Sequence, residues 1–148
     1  MGDDWEKMKV IAVVVTYNRK KLLKECIGAL INQNLELYKI IIVNNASTDG
    51  TTEYFQSEHI FKDEKIKIIN LTKNTGGAGG FEVGTRAAYA AGADYIWLMD
   101  DDAEPVKDCL EILIGEAINK EMFAVCPLIF TCQCKNINIS TFNFCIGM

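Results

Sequence analysis

Three adjacent carboxylates, Asp100-Asp101-Asp102, directly follow the apolar run Tyr95-Ile96-Trp97-Leu98-Met99. Neighbouring like charges repel, so the triplet costs stability unless something cationic compensates it. In an extended segment Asp100 and Asp102 point to one side, their alpha carbons about 6.5–7 Å apart, and their side chains can converge on one ion. A hard divalent cation suits such a pair. Mg²⁺ or Mn²⁺ bound by one or two carboxylates fills its remaining positions with water and phosphate oxygens. Asp100 and Asp102 are therefore the candidate metal ligands, and a diphosphate is the substrate chemistry they call for. Acids that merely favour a helix dipole would be the simpler explanation. The position of the triplet at the end of an apolar strand favours the metal.

Three other polar clusters also stand beside apolar runs. Val15-Thr16-Tyr17-Asn18-Arg19 offers hydroxyls, an aromatic face for a base and a guanidinium for phosphate. Asn44, Asn45, Ser47 and Asp49 could hydrogen-bond a nucleobase or ribose, although a helix-capping loop uses the same residue types. Asn74-Thr75-Gly76-Gly77-Ala78-Gly79-Gly80-Phe81 contains four glycines, whose amides can closely approach an anion or a sugar where a helix begins. A tight turn with close helix packing would use those glycines too. The dinucleotide fingerprint G-x-G-x-x-G is not met, because counting from Gly77 and Gly79 its third glycine falls on Glu82. The Walker pattern is absent as well, which disfavours nicotinamide enzymes and P-loop ATPases.

An alternation of strands and helices must position these clusters. Lys9 to Thr16 reads as a central parallel strand covered on both faces. Asn18 can cap a following helix whose apolar positions Leu22, Leu23, Cys26, Ile27, Leu30 and Ile31 recur at helical spacing. Tyr38 to Val43 is a second strand, followed by turn formers and a helix near Thr51 to Phe55. Lys65 to Leu71 is a third strand, the glycine loop spans Thr72 to Gly80, and a helix runs from about Phe81 to Ala91. Tyr95 to Met99 is the fourth strand, Pro105 suits the first turn of a helix reaching about Asn119, and Phe123 to Phe130 is a fifth strand. Such an alternation implies a mostly parallel α/β sheet, with ligands outside the carboxyl ends of the strands. Each polar cluster lies at such an end.

Composition agrees with a folded domain. The 148 residues are 49% hydrophobic and 24% charged with two prolines, against disorder, and the net charge of −5 disfavours nucleic acid. No apolar run reaches the roughly 18–20 residues of a membrane span, and the acidic start Met1-Gly2-Asp3-Asp4-Trp5-Glu6 is unlike a secretory signal, so a cytoplasmic setting is expected. Six cysteines, at 26, 109, 126, 132, 134 and 145, give one Cys-x-Cys and no zinc spacing, which reads as reduced thiols.

In order and spacing, V-V-V-T-Y-N-R, I-I-V-N-N-A-S-T-D-G-T, N-x-G-G-A-G-G-F and L-M-D-D-D-A-E-P closely resemble family-2 inverting glycosyltransferases of the GT-A fold. The likeness spans about Lys9 to Pro105 and is greatest to the branch of bacterial rhamnosyltransferases and galactofuranosyltransferases. It implies a Rossmann-like, mostly parallel sheet with flanking helices: an N-terminal extension at 1–8, a nucleotide-sugar-binding α/β domain at 9–130, and a tail of unassigned structure at 131–148. It implies transfer of a sugar from a UDP- or dTDP-sugar to a glycan or lipid-linked acceptor, with Mg²⁺ or Mn²⁺, in cell-wall or surface polysaccharide synthesis. Thr16, Tyr17, Asn44 and Asn45 would line the nucleoside pocket. Asn18, Arg19, Asp49, Gly76, Gly77, Gly79 and Asp101 would complete the nucleotide-sugar set, and the outer Asp100 and Asp102 would hold the metal on the diphosphate.

Family members usually carry an Asp where this chain has Asn44-Asn45; an asparagine both donates and accepts, so uracil and thymine both stay open. The implied reaction is attack of an acceptor hydroxyl on the anomeric carbon, with a carboxylate as general base. In the family that base lies well downstream of the triple aspartate, often with a histidine after it. Here no acid follows Glu121 and the one histidine is His59, so the base is expected beyond Met148. Peripheral association of the full-length protein with the inner face of the membrane is a further expectation. A nucleotidylyltransferase would need a glycine-rich basic loop after the first strand, and Thr16-Tyr17-Asn18-Arg19 has no glycine. The alternative that remains is a domain that binds a nucleotide sugar without transferring it.

Overall fold

The structure, a computed structural model, describes residues 7–126 and the backbone of 144–147. Its elements are β1 (Val10–Thr16), α1 (Lys20–Ile31), β2 (Lys39–Asn44), α2 (Thr51–Ser57), β3 (Ile66–Asn70), α3 (Gly76–Ala90), β4 (Tyr95–Asp100), α4 (Cys109–Asn119), β5 (Ala124–Val125) and β6 (Phe144–Gly147), with a 3-10 turn at His59–Lys62. The strand order is β3-β2-β1-β4-β6-β5. The first four strands in that order pair in parallel, and β6 runs antiparallel to both β4 and β5.

β1 is buried along its whole length. Because successive side chains of a strand point to opposite faces, it feeds two cores. Val10, Ala12 and Val14 pack with Leu23, Ile27 and Leu30 of α1 and with Leu110 and Ile114 of α4. Ile11, Val13 and Val15 pack on the other face with Ala88 of α3. The β-branched run thus makes a strand with two apolar faces and requires helices on both.

The helix after the glycine loop begins at Gly76, not near Phe81 as the sequence indicated. The reason is tertiary. A Cβ at Gly80 would lie 2.6 Å from Val15 Cγ1, and one at Gly84 only 2.2 Å from Val13 Cγ1, so these glycines let α3 lie directly on β1. Close packing overrides the poor helix propensity of glycine.

Pro105 does not open the fourth helix, which starts at Cys109. The segment before it is held from outside: Gln33 Nε2 donates to the Val106 carbonyl at 2.9 Å, and Asn34 N–H donates to the Lys107 carbonyl at 2.7 Å. The buried Gln33 side chain then accepts the Leu110 N–H at 3.0 Å, capping α4 from another element. Asn18 likewise does not cap α1. Its φ of 57° turns it toward the 47–48 loop, and Arg19 occupies the N-cap position without a side-chain bond to the helix's own N–H groups.

Of the fifth strand expected at 123–130, Ala124–Val125 form β5, and 127–130 lie outside the described residues. Within 131–148, where the sequence showed no period, Phe144–Gly147 join the sheet between β4 and β5. Among the described residues no helix is long and apolar enough to cross a membrane. Cys26 and Cys109 are free thiols. Burial pushes the Cys26 thiol far up and the Cys109 thiol to about 11, so both stay protonated at neutral pH.

Candidate functional site

The parallel strands end in register on polar residues: Thr16 stands opposite Asn44, Asn44 opposite Asn70, and Val15 opposite Asp100. A cleft of about 310 Å³ opens at this edge, between the ends of β1 and β4 and the first turn of α3. Of the residues singled out from sequence, Thr16, Tyr17, Arg19, Asn45, Gly76, Gly77, Asp100 and Asp101 line it. Asn74 also lines it and had not been singled out; its Oδ1 accepts the Gly76 N–H at 2.8 Å, a turn that the Asn-Thr-Gly order could have signalled.

Asp100 ends β4, but Asp101 and Asp102 are not extended. The chain turns after β4, with the Ala103 N–H bonded to the Asp100 carbonyl at 3.2 Å, so the simple alternation of side chains assumed for Asp100 and Asp102 does not hold. Asp101 turns inward and is 3% exposed. Its Oδ2 accepts the Thr16 hydroxyl at 2.7 Å and its Oδ1 the Arg19 guanidinium at 3.4 Å. The same Arg19 Nη1 reaches Asp102 Oδ2 at 3.2 Å. Burial raises the Asp100 carboxyl above the ordinary carboxylate range, with repulsion from Asp102 and then Asp101 adding to it and Arg19 opposing. Asp102, not the adjacent Asp101, is the stronger repulsive neighbour of Asp100. Burial also raises Asp101, against the Thr16 hydrogen bond and Arg19.

Both asparagines at the end of β2 are buried and internally bonded. Asn44 Oδ1 accepts the Ser47 N–H at 3.1 Å, and its Nδ2 donates to Thr52 Oγ1 at 3.2 Å and Asn70 Oδ1 at 2.9 Å. Asn45 holds the start of α3: its Oδ1 accepts the Thr75 N–H at 2.9 Å and hydroxyl at 3.2 Å, and its Nδ2 donates to the Gly76 carbonyl at 2.9 Å. Asp49 accepts from the Thr51 N–H and hydroxyl at the start of α2. Asn18 reads the 47–48 loop through its N–H to Ser47 Oγ at 3.0 Å and its Oδ1 to the Thr48 N–H at 2.7 Å. The space a side chain at Gly79 would need is filled by Thr75. Asn18, Asn44, Asp49, Gly79 and Asp102 thus flank or support the cleft without lining it.

The first turn of a helix carries N–H groups without intrahelical acceptors and attracts anions. In α3 that turn is glycine-rich and open, since nothing lies within 4 Å of a Cβ built on Gly77. Among the described residues no three His, Cys, Asp or Glu side chains gather into a protein-only metal cage. One or two carboxylates beside an anion-attracting helix end is the donor set that Mg²⁺ or Mn²⁺ uses when it arrives with a diphosphate. The residues fit an ion of that kind. A larger hollow of about 730 Å³ lies at the amino ends of the strands, beside Lys7, Tyr38 and Lys65, away from these carboxylates.

A mostly parallel α/β sheet with flanking helices is shared with known proteins. The family model for glycosyl transferase family 2 matches residues 11–142, and the chain belongs to that family. It is 33% identical over 121 residues to the galactofuranosyltransferase GlfT1 of Mycolicibacterium smegmatis, covering 81% of this chain and 39% of that protein. It is 32% identical over 109 residues to the abequosyltransferase RfbV of Salmonella typhimurium, covering 72% of this chain and 32% of that protein. Among solved structures, S. aureus TarS in complex with UDP-GlcNAc superposes with a TM-score of 0.74 at 20% identity, over 88% of this chain and 37% of that one. The mannosyltransferase PcManGT from Pyrobaculum calidifontis, with GDP-Man and Mn²⁺, gives 0.68 at 22% identity, over 87% and 38%. The fold is that of the GT-A glycosyltransferases, and the chain spans well under half the length of these relatives.

Proposed function

We propose that this chain forms the nucleotide-sugar-binding half of a metal-dependent, inverting glycosyltransferase that moves a sugar from a UDP- or dTDP-sugar to a glycan or lipid-linked acceptor. The observation that carries the reading is the meeting of Thr16, Tyr17, Arg19, the first turn of α3 and Asp100-Asp101 in one cleft. The names of the relatives and neighbours support it, since they include sugar transferases and complexes with UDP-GlcNAc and with GDP-Man and Mn²⁺. The reading includes polysaccharide synthesis as the setting, in the cytoplasm at the inner face of the membrane.

In this mechanism Tyr17, 44% exposed at the mouth of the cleft, offers its ring to the base. Arg19 and the α3 amides take the diphosphate oxygens. Asp100 and Asp102 would hold Mg²⁺ or Mn²⁺, which when bound neutralises charge on the departing nucleoside diphosphate. Asp101 keeps Thr16 and Arg19 in place from its buried position. No general base is assigned among these residues: Glu104, Asp108, Glu111, Glu116 and Glu121 do not line the cleft. For the described residues that observation supports a second reading, a domain that binds a nucleotide sugar without transferring it.

Thermal-shift measurements test the donor assignment. Stabilisation by UDP or dTDP with Mn²⁺ should exceed that by GDP with Mn²⁺ at equal concentration, and the reverse order would overturn the pyrimidine assignment.

A further inference from the structure

Among the described residues one cation, Arg19, is bonded to the acidic turn, and it sits where ligand chemistry is proposed. Arg19 Nη1 bridges Asp101 Oδ1 at 3.4 Å and Asp102 Oδ2 at 3.2 Å. The two partners differ. Asp101 is buried and also bonded to Thr16, so its side chain is fixed by the fold. Asp102 is exposed, and the Arg19 side chain is half-exposed, so this second contact can open without disturbing the core. Arg19 also lines the cleft, three residues past the end of β1 and at the N-cap of α1.

We propose that Arg19 is a tethered counter-cation: it neutralises Asp102 while the cleft is empty and yields that carboxylate when a metal diphosphate enters, turning to the phosphate oxygens. This rests on the functional reading above. Free divalent metal then has to displace a guanidinium that has no new partner, whereas metal arriving with a diphosphate supplies one. Metal and nucleotide consequently bind with positive coupling, and by linkage each raises the affinity of the other by the same factor. An ion pair half open to solvent limits the effect to about three- to tenfold, falling as salt is raised.

The test is Mn²⁺ binding to the purified chain, read by electron paramagnetic resonance of the free ion, with and without UDP. Arg19→Met, which keeps the apolar stem and removes the charge, should bind Mn²⁺ alone about three- to tenfold more tightly than wild type. The gain in Mn²⁺ affinity that UDP confers should be about three- to tenfold smaller in Arg19→Met than in wild type, the remainder coming from phosphate oxygens on the metal itself. Lys21→Met removes an equal charge from the adjacent exposed helix surface, and should change Mn²⁺ affinity less than about twofold. Asp102→Asn added to Arg19→Met should abolish the tighter binding. Circular dichroism of each variant confirms that the fold is retained. Equal or weaker Mn²⁺ binding by Arg19→Met, an equal gain in Lys21→Met, or a gain that survives Asp102→Asn would each overturn the proposal. If wild type binds UDP only with Mn²⁺ while Arg19→Met behaves like wild type, the counter-cation role alone falls. If no variant binds Mn²⁺ with or without UDP, the functional reading falls with it.

Discussion

Gly84→Ala and Gly115→Ala make the same chemical change in two helices and should have opposite effects. In an unobstructed helix interior, alanine is favoured over glycine by about 1 kcal/mol. Gly115 lies inside α4 with nothing within 4 Å of its missing Cβ, so Gly115→Ala should stabilise by about 0.5–1 kcal/mol. At Gly84 a Cβ would lie 2.2 Å from Val13 Cγ1 and 3.2 Å from Val43 Cγ2, fully buried side chains on two central strands. Neither valine has free space to turn into, so α3 must lift off the sheet. Overpacking of this kind costs about 1–3 kcal/mol, more where backbone must shift, which outweighs the propensity gain and leaves a net loss of about 2 kcal/mol. For a chain of this length that corresponds to roughly 4–8 °C in Tm. Urea denaturation of both variants, with unchanged slope, measures the difference. A Gly84→Ala midpoint at or above wild type would refute the argument that glycine is present for contact with β1. Because α3 also carries Gly76 and Gly77 to the cleft, the same variant should weaken nucleotide binding, and Gly115→Ala should not.

Other outcomes follow from the same contacts. Gln33→Ala removes the acceptor of the buried Leu110 N–H and the donor to Val106, and should cost about 1–3 kcal/mol in denaturant titrations without changing nucleotide affinity at saturating folded protein. Asn45→Leu keeps the branched shape but strips the bonds to Thr75 and Gly76, and should both destabilise the chain by about 2–4 kcal/mol and loosen amide exchange at 75–78. Asp100 has a folded-state pKa raised above the ordinary 3.8, so its stabilising contribution is full below that value and is lost as pH rises through its folded pKa. Asp100→Asn should therefore stabilise the fold at neutral pH, lose that advantage below 3.8, and weaken metal-dependent nucleotide binding throughout.

The sheet was readable where burial has a simple signature. The run from Val10 to Val15 is apolar throughout and β-branched at every position but Ala12, the pattern of a strand covered on both faces. The start of α3 was not readable, because four glycines argue against a helix locally and the contacts with Val13 and Val15 that justify them are distant in sequence. The late start of α4 depends on Gln33 and Asn34, far from the helix they hold. Phe144–Gly147 are too few residues to show a period, and their place between β4 and β5 is purely a matter of pairing.

At the site, strand ends told where chemistry gathers, and Thr16, Tyr17, Arg19, Asn45, Gly76, Gly77, Asp100 and Asp101 do share a cleft. Residue type could not separate the residues that face the cleft from those that build its walls. Asn44, Asp49 and Asn18 have the side chains of ligand contacts, but the structure spends their hydrogen bonds on loops and helix starts. Turn geometry was equally hidden: alternation along an extended strand misdescribes Asp101, whose inward side chain follows from the bend closed by the Ala103 N–H.

The central claim is that a metal diphosphate occupies the cleft at the carboxyl ends of the strands. A ¹H–¹⁵N NMR titration of the chain with UDP and Mg²⁺, repeated with EDTA, tests it most directly. The account predicts metal-dependent shifts concentrated at 16–19, 74–78 and 100–103, removed by EDTA and by Asp102→Ala. Shifts centred instead on Lys7, Tyr38 and Lys65, around the larger hollow at the opposite end of the sheet, or shifts indifferent to EDTA, would contradict it.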